Sequence, residues 1–226
     1  MGVMTLETTP ALETARILLD TKSVLFNVHE PFTYTSGRKG PVYVDCRRLI
    51  SFVNERARLM DMMAASIKSV GLDHFDYIAG GETAGIPYAA FIADRLKKPM
   101  LYVRKKPKGF GRMAQIEGFM TEGRQNIALV EDVQYFGASV TVFIDAIRSA
   151  GAQVGHLFVL FSHGHESSRK AMQDLGLTVH ALATWKDVLD MARSQNYFDL
   201  ETITSVESYL NNPDSWTPTS MTRSAL

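Results

Sequence analysis

Cysteine is nearly absent from this chain: Cys46 is the single thiol among 226 residues. One thiol excludes an internal disulfide and any cysteine-clustered zinc site, and a cytoplasmic location is the expectation that follows. Net charge is absent as well. The chain carries 24 basic and 24 acidic residues, a formal charge of +0. There is thus no global attraction to nucleic acid or to an anionic membrane, and any anion must be met by a local cluster. Long apolar runs are missing, and no stretch is long enough to span a bilayer. The first ten residues lack the basic start and apolar core of a secretory signal, and 1–10 is expected to be disordered. No internal repeat is visible. What remains is 46% hydrophobic and 21% charged, an ordinary globular composition. The length suits one large domain, or a domain with a small lobe.

The stretch around which the chain is organised is 127–139. Ile127, Ala128, Leu129 and Val130 are four apolar residues in a row, as in a strand buried on both faces of a parallel sheet. Glu131 and Asp132 follow, expected at the strand's carboxyl end, where open α/β sheets place their ligands. Gly137 permits a tight turn, and Ser139 is the expected N-cap of a helix whose stripe is Val140, Phe143, Ile144 and Ile147. Gly151 sits just past its end. Backbone N–H groups at such a loop and helix start favour a phosphate. Two carboxylates beside it suit ribose hydroxyls or a hard cation such as magnesium. The plainer alternative is a βα unit whose acids are merely solvated.

Other segments fall into order around this one. A helix is expected over 11–22. Short strands at 24–26, 31–34 and 42–44, with turn chemistry at 36–41, read as a β-rich lobe spanning 24–48, made basic by Arg38, Lys39, Arg47 and Arg48. The run 51–71 reads as a helix with Asn54 as N-cap and Gly71 as its stop. Strands at 75–79, 99–103, 127–130, 156–161 and 178–183 alternate with helices, and further helices close the chain at 185–193 and 201–210. The remaining tail, 211–226, is expected to fray. This alternation argues for a mostly parallel, doubly wound sheet carrying its site on loops at one edge.

Three of those loops differ in chemistry. The first, Gly80-Gly81-Glu82-Thr83-Ala84-Gly85, brings backbone close to a ligand. The second runs from Arg104 to Arg112 and carries five cations, two glycines and a proline, and no acid. It reads as a mobile loop suited to clamping a polyanion. The third holds the paired acids. N–H groups, cations and acids on one edge match a pyrophosphate on a sugar. His163 and His165 after the fourth strand invite a metal reading, but no cysteine and no helical histidine spacing accompanies them.

These motifs resemble those of a known family. Val130-Glu131-Asp132-Val133 with a following glycine loop is similar to the signature of the type I phosphoribosyltransferases. Phe32 to Pro41, Ala79 to Pro87 and Tyr102 to Gly109 are close to its orotate branch. The likeness spans about 11–210, read as a single domain. It implies an α/β phosphoribosyltransferase-like fold with a small N-terminal β-rich lobe. It implies a homodimer that transfers the 5-phosphoribosyl group of PRPP to orotate, with Mg2+ required and with pyrophosphate and orotidine 5'-monophosphate as products. No side chain is implied as a direct metal ligand.

By the same resemblance, the catalytic residues are Lys108, Arg104 and Asp132. Arg104, Lys105, Lys108 and Phe110 meet PRPP from the cationic loop, which is shared between subunits. Thr83 and Ala84 line the pyrophosphate. Glu131 and Asp132 hold ribose hydroxyls, and Tyr135, Phe136, Gly137, Ala138 and Ser139 surround the 5-phosphate. Thr35, Tyr43, Val44, Tyr135 and His163 lie near orotate. Three departures stand out. The 5-phosphate loop is Gln134 to Ser139, where relatives carry small and hydroxyl-bearing residues. Thr35 and Phe110 stand where many relatives have lysine and histidine. His163 stands where an arginine often meets orotate. Two other readings therefore remain open, a ligand-binding or regulatory homologue with weak or no PRPP chemistry, and a transferase acting on another base.

Overall fold

A computed structural model describes residues 9–34, 36–111, 113–135 and 138–219. Expectations placed on 1–8, Thr35, Arg112, Phe136, Gly137 and the tail beyond 219 fall outside these residues, as does the side chain of Ala138. Backbone contacts divide the chain into two units, Met1–Leu49 with Lys186–Leu226, and Ile50–Trp185.

The first unit joins the two ends of the chain. Its opening helix α1 (Pro10–Asp20) starts one residue earlier than the apolar stripe suggests, because Thr9 accepts the Leu12 N–H at 3.2 Å and Pro10 takes the first helical position, where its missing N–H costs nothing. Thr9 and Pro10 therefore belong to a capped helix end, not to a disordered leader. Two antiparallel pairs follow, β1 (Val24–Phe26) with β4 (Val42–Val44), and β2 (Phe32–Thr33) with β3 (Lys39–Gly40). The later chain supplies α6 (Trp185–Ser194) and α7 (Leu200–Asn211), the latter capped by the Asp199 carboxylate. Phe198 packs on Phe26 with ring centroids 4.7 Å apart, Tyr197 donates to Asp20, and Arg38 pairs with Asp214. The tail does not fray as far as Thr219. Trp216 donates to Ser205 Oγ at 3.0 Å, and the Thr219 N–H reaches Val28 O at 3.0 Å.

The second unit is the α/β body. Helix α2 (Val53–Gly71) is preceded by a 3-10 turn over Cys46–Ser51, so the expected helix from 51 starts later. Phe52 occupies the N-cap position without a side-chain bond, and Asn54 lies inside the helix. The sheet comprises β5 (Tyr77–Gly81), β6 (Met100–Val103), β7 (Ile116–Glu117), β8 (Asn126–Gln134), β9 (Gln153–Ser162) and β10 (Thr178–Thr184), in the order β10-β9-β8-β5-β6-β7. Every pairing is parallel except β6 with β7. Strand order reverses between β5 and β8, the position at which doubly wound sheets open a crevice. Helix α4 (Ala138–Ser149) buries Val140, Phe143, Ile144 and Ile147 in one apolar cluster with Ala79, Leu129, Leu157 and Val159. Burial of each of these larger side chains contributes on the order of 1.5–3 kcal/mol. Residues alternate faces along a strand, so Ile78 and Val130 look the other way, toward the side where α2 packs on α3 (Gly85–Leu96). Helix α5 (Glu166–Asp174) links β9 to β10. Among the described residues no helix is long and apolar enough to cross a membrane.

Candidate active site

All three loops marked out by their chemistry leave the carboxyl ends of neighbouring strands in the second unit. The acids, however, lie inside a strand. β8 runs through Glu131 and Asp132 to Gln134 rather than stopping at Val130, because β9 stays paired with it as far as Ser162. Gly80 pairs with Val130 in register, which sets Gly81 beside Glu131 across the switch point. A Cβ on Gly81 would overlap Glu131 Oε1 and the Phe143 ring, and one on Gly85 would lie 2.9 Å from the same oxygen and closer still to Val130 O. The two glycines thus make room for a carboxyl group rather than merely permitting a turn.

That carboxyl group is unusual. Glu131 is 7% exposed and its Oε1 has no hydrogen-bond partner. Burial, reinforced by the Asp132 charge, pushes its pKa up to about 8, against the opposing pull of Lys105 and of the Asp132 backbone N–H. A buried acceptor without a donor costs free energy until a donor arrives. The pair of hard oxygen donors, Glu131 and Asp132, fits a ribose hydroxyl, and equally the environment of a hard cation carried by a phosphorylated sugar.

The cationic segment is more ordered in its pairing than its composition suggests. The sequence reading overlooked β7, a strand of two residues. With it, Arg104 to Gln115 becomes a hairpin excursion closed by Arg104 N–H to Gln115 O at 2.8 Å and Lys108 N–H to Ala114 O at 2.7 Å. Arg104 faces Glu117 on β7 at 3.4 Å, while Lys105, Lys106, Lys108 and Phe110 are exposed. The Lys105 N–H donates to Glu82 Oε2 at 2.7 Å, tying the cationic hairpin to the glycine turn. Thr83 is exposed and Ala84 half-buried at the tip of that turn.

Beyond the acids, the loop is braced by residues that pattern reading missed. The buried Gln134 side chain accepts from Ser162 Oγ at 2.7 Å and donates to Ser168 Oγ. The His163 N–H donates to Gln134 O at 3.0 Å. Tyr135 stands edge-on to His163 at 4.3 Å and to His165 at 5.5 Å. Trp185 Nε1 lies 3.1 Å from His163 Nδ1. Ser139, expected as the N-cap, is instead the second residue of α4 and is exposed. Of the residues expected near the base, Tyr135 and His163 are brought together here. Tyr43 and Val44 lie on β4 of the first unit, where the Tyr43 ring packs tilted against Phe32 at 5.5 Å. Thr35, Phe136 and Gly137 are outside the described residues. No group of three or more histidine, cysteine or acidic side chains suited to a metal occurs among the described residues.

A parallel sheet whose switch point gathers a glycine turn, a cationic hairpin and a paired-acid strand defines a type I phosphoribosyltransferase fold. Solved structures agree. The chain is similar to UMP synthase of Leishmania donovani, with a TM-score of 0.74 at 26% identity over 88% of this chain and 42% of that one. It is similar also to orotate phosphoribosyltransferase of Aeropyrum pernix, with a TM-score of 0.65 at 30% identity over 78% and 97% of the two chains. No family model matches. Among curated proteins, it is 50% identical over 210 residues to orotate phosphoribosyltransferase of Jannaschia sp. (strain CCS1), covering 92% of each chain. It is 51% identical over 205 residues to that of Cereibacter sphaeroides (strain KD131 / KCTC 12085), covering 90% of this chain and 88% of that one. The chain belongs to the orotate phosphoribosyltransferase family.

Proposed function

We propose that this protein transfers the 5-phosphoribosyl group of PRPP to orotate, yielding orotidine 5'-monophosphate and pyrophosphate in pyrimidine nucleotide biosynthesis. The observation that carries this reading is the Glu131–Asp132 pair, walled by Gly81 and Gly85 and leaving one buried carboxyl oxygen without a donor. A ribose 2'- or 3'-hydroxyl supplies that donor.

The roles follow from the chemistry. The C1–O bond to pyrophosphate breaks as the C1–N1 bond to orotate forms, and positive charge develops on the ribose ring, as in other glycosyl transfers. Asp132 and Glu131 hold the ring by its hydroxyls, and the Asp132 charge favours the positive charge that develops there. Lys108, Arg104 and Lys105 neutralise the departing pyrophosphate, with Thr83 and Ala84 beneath it and Phe110 at the hairpin tip. By the family resemblance, Tyr135, Phe136, Gly137, Ala138 and Ser139 are assigned to the 5-phosphate, for which the N-terminus of α4 is a favourable anion site. By the same resemblance, Thr35, Tyr43, Val44, Tyr135 and His163 are the candidate orotate contacts. Orotate brings its own nucleophilic nitrogen, so no strong general base is needed. Mg2+ would sit beside Asp132 and the diphosphate, where it would supply charge neutralisation. We assign it no direct protein ligand. The reading includes a homodimer in which the 104–112 hairpin serves the partner's site, and a cytoplasmic setting for a chain whose lone cysteine is buried.

Calorimetric titration of the purified protein with PRPP in MgCl2 tests the reading. Saturable one-site binding that weakens in Asp132→Asn is expected. Folded protein that gives no heat with PRPP would point instead to a homologue that has lost the chemistry, with the Gln134 to Ser139 substitutions as the cause.

A further inference from the structure

One hydrogen bond beside the base subsite has a direction fixed by chemistry alone. Trp185 Nε1 lies 3.1 Å from His163 Nδ1. An indole N–H donates and cannot accept. His163 Nδ1 must therefore present its lone pair, and the proton of the neutral ring sits on Nε2. The packing around this contact keeps it in place. The Phe161 ring stands edge-on to both partners, 5.4 Å from His163 and 4.9 Å from Trp185. The backbone of His163 is held by Gln134. Burial, with a smaller contribution from the His165 charge, drives the His163 pKa down to about 3. The other groups packed on the ring are Tyr135 and His165, at 4.3 and 5.8 Å.

We propose that Trp185 is a positioning residue: it locks His163 in the Nε2–H tautomer, so that this ring offers the pyrimidine substrate a single neutral hydrogen-bond donor. The proposal rests on the reading of His163 as an orotate contact. A neutral donor makes a hydrogen bond roughly half as strong as the charge-assisted bonds of an arginine. It stays the same donor across the whole neutral pH range. It also selects for an acceptor, a carboxylate or carbonyl oxygen, at that position on the base.

The test separates the lock from the substrate contact. Nitrogen–proton correlation spectra of the full-length protein with 15N-labelled histidine report the tautomer directly, with His163 assigned by its loss in His163→Asn. The expected result is an unprotonated Nδ1 and a protonated Nε2, unchanged from pH 5 to pH 8 and lost or mixed in Trp185→Phe. A wild-type His163 that carries its proton on Nδ1, or that titrates near pH 6.5, overturns the lock. Steady-state kinetics report the contact. His163→Gln, whose amide nitrogen falls near the Nε2 position, should keep the KM for orotate within about threefold. His163→Asn and Trp185→Phe should raise it about tenfold, the scale of one lost neutral hydrogen bond, with the KM for PRPP unchanged. An intact tautomer with an unchanged orotate KM in His163→Asn overturns the donor role and the orotate reading of His163 together. Should Trp185→Phe not fold, the wild-type spectra and the Gln/Asn pair decide the matter alone.

Discussion

Replacing Glu131 with glutamine should change how stability depends on pH. In the folded protein the Glu131 carboxyl keeps its proton up to about pH 8, against 4.5 for an ordinary glutamate. Between those values the folded state binds one proton more than the unfolded chain, so this group's contribution is full below about 4.5 and declines as pH rises toward 8. A displacement from 4.5 to about 8, at about 1.36 kcal/mol per pH unit, makes that loss on the order of 5 kcal/mol. Glutamine keeps the shape, has no proton to lose and removes the slope, whatever constant offset its amide introduces. Urea unfolding of the PRPP-free protein at pH 5, 6.5 and 8 reads the effect. Relative to wild type, Glu131→Gln should gain several kcal/mol between pH 5 and pH 8. Parallel pH curves for the two proteins would refute the claim that a buried, protonated carboxyl sits between Gly81 and Gly85.

Two further outcomes follow from the site. Lys108→Ala should leave urea stability within about 0.5 kcal/mol, since the side chain is exposed, while lowering kcat by roughly a hundredfold or more if this cation stabilises the leaving pyrophosphate; equal turnover removes Lys108 from the mechanism. Gly85→Ala places a methyl against Val130 O and Glu131 Oε1, and overpacking of this kind costs roughly 1–3 kcal/mol. Its melting temperature should fall and its PRPP affinity with it, whereas wild-type affinity in a stable variant would show that the crevice has slack.

Much of this architecture was legible in the sequence because the central strands β5, β8 and β9 are buried on both faces over most of their length. Four apolar residues from Ile127 to Val130, bounded by acids and a glycine turn, fit a short buried strand, and five strand-like runs alternating with helices leave few topologies. Strand ends were less legible. β8 outlasts its apolar run by four residues because pairing with β9, not side-chain hydrophobicity, decides where it stops. β7 is two residues long and carries no period. Ser139 looked like a cap by type alone, yet the helix starts at Ala138. The site divides in the same way. Its acids, cations and glycines announced themselves by composition. The partners that orient them did not. Gln134 with Ser162 and Ser168, Trp185 with His163, and Glu82 with the Lys105 N–H join residues 22 to 34 positions apart, or meet through backbone, and no local spacing encodes them. One signal was available in hindsight: Gly81 and Gly85 flank the place where a neighbouring strand must seat a glutamate, and small residues opposite a buried acid mark a fitted pocket.

Phosphoribosyl transfer by this chain, with Tyr135 three residues past Asp132, is open to direct assay. The most direct measurement follows orotate consumption and pyrophosphate release in one sample of purified protein with PRPP and MgCl2. Both are expected to proceed in a one-to-one ratio with orotidine 5'-monophosphate as the nucleotide formed, and Asp132→Asn and Lys108→Ala should slow both together. A folded protein that releases no pyrophosphate in the presence of orotate, or releases it without consuming orotate, would contradict the proposed transfer.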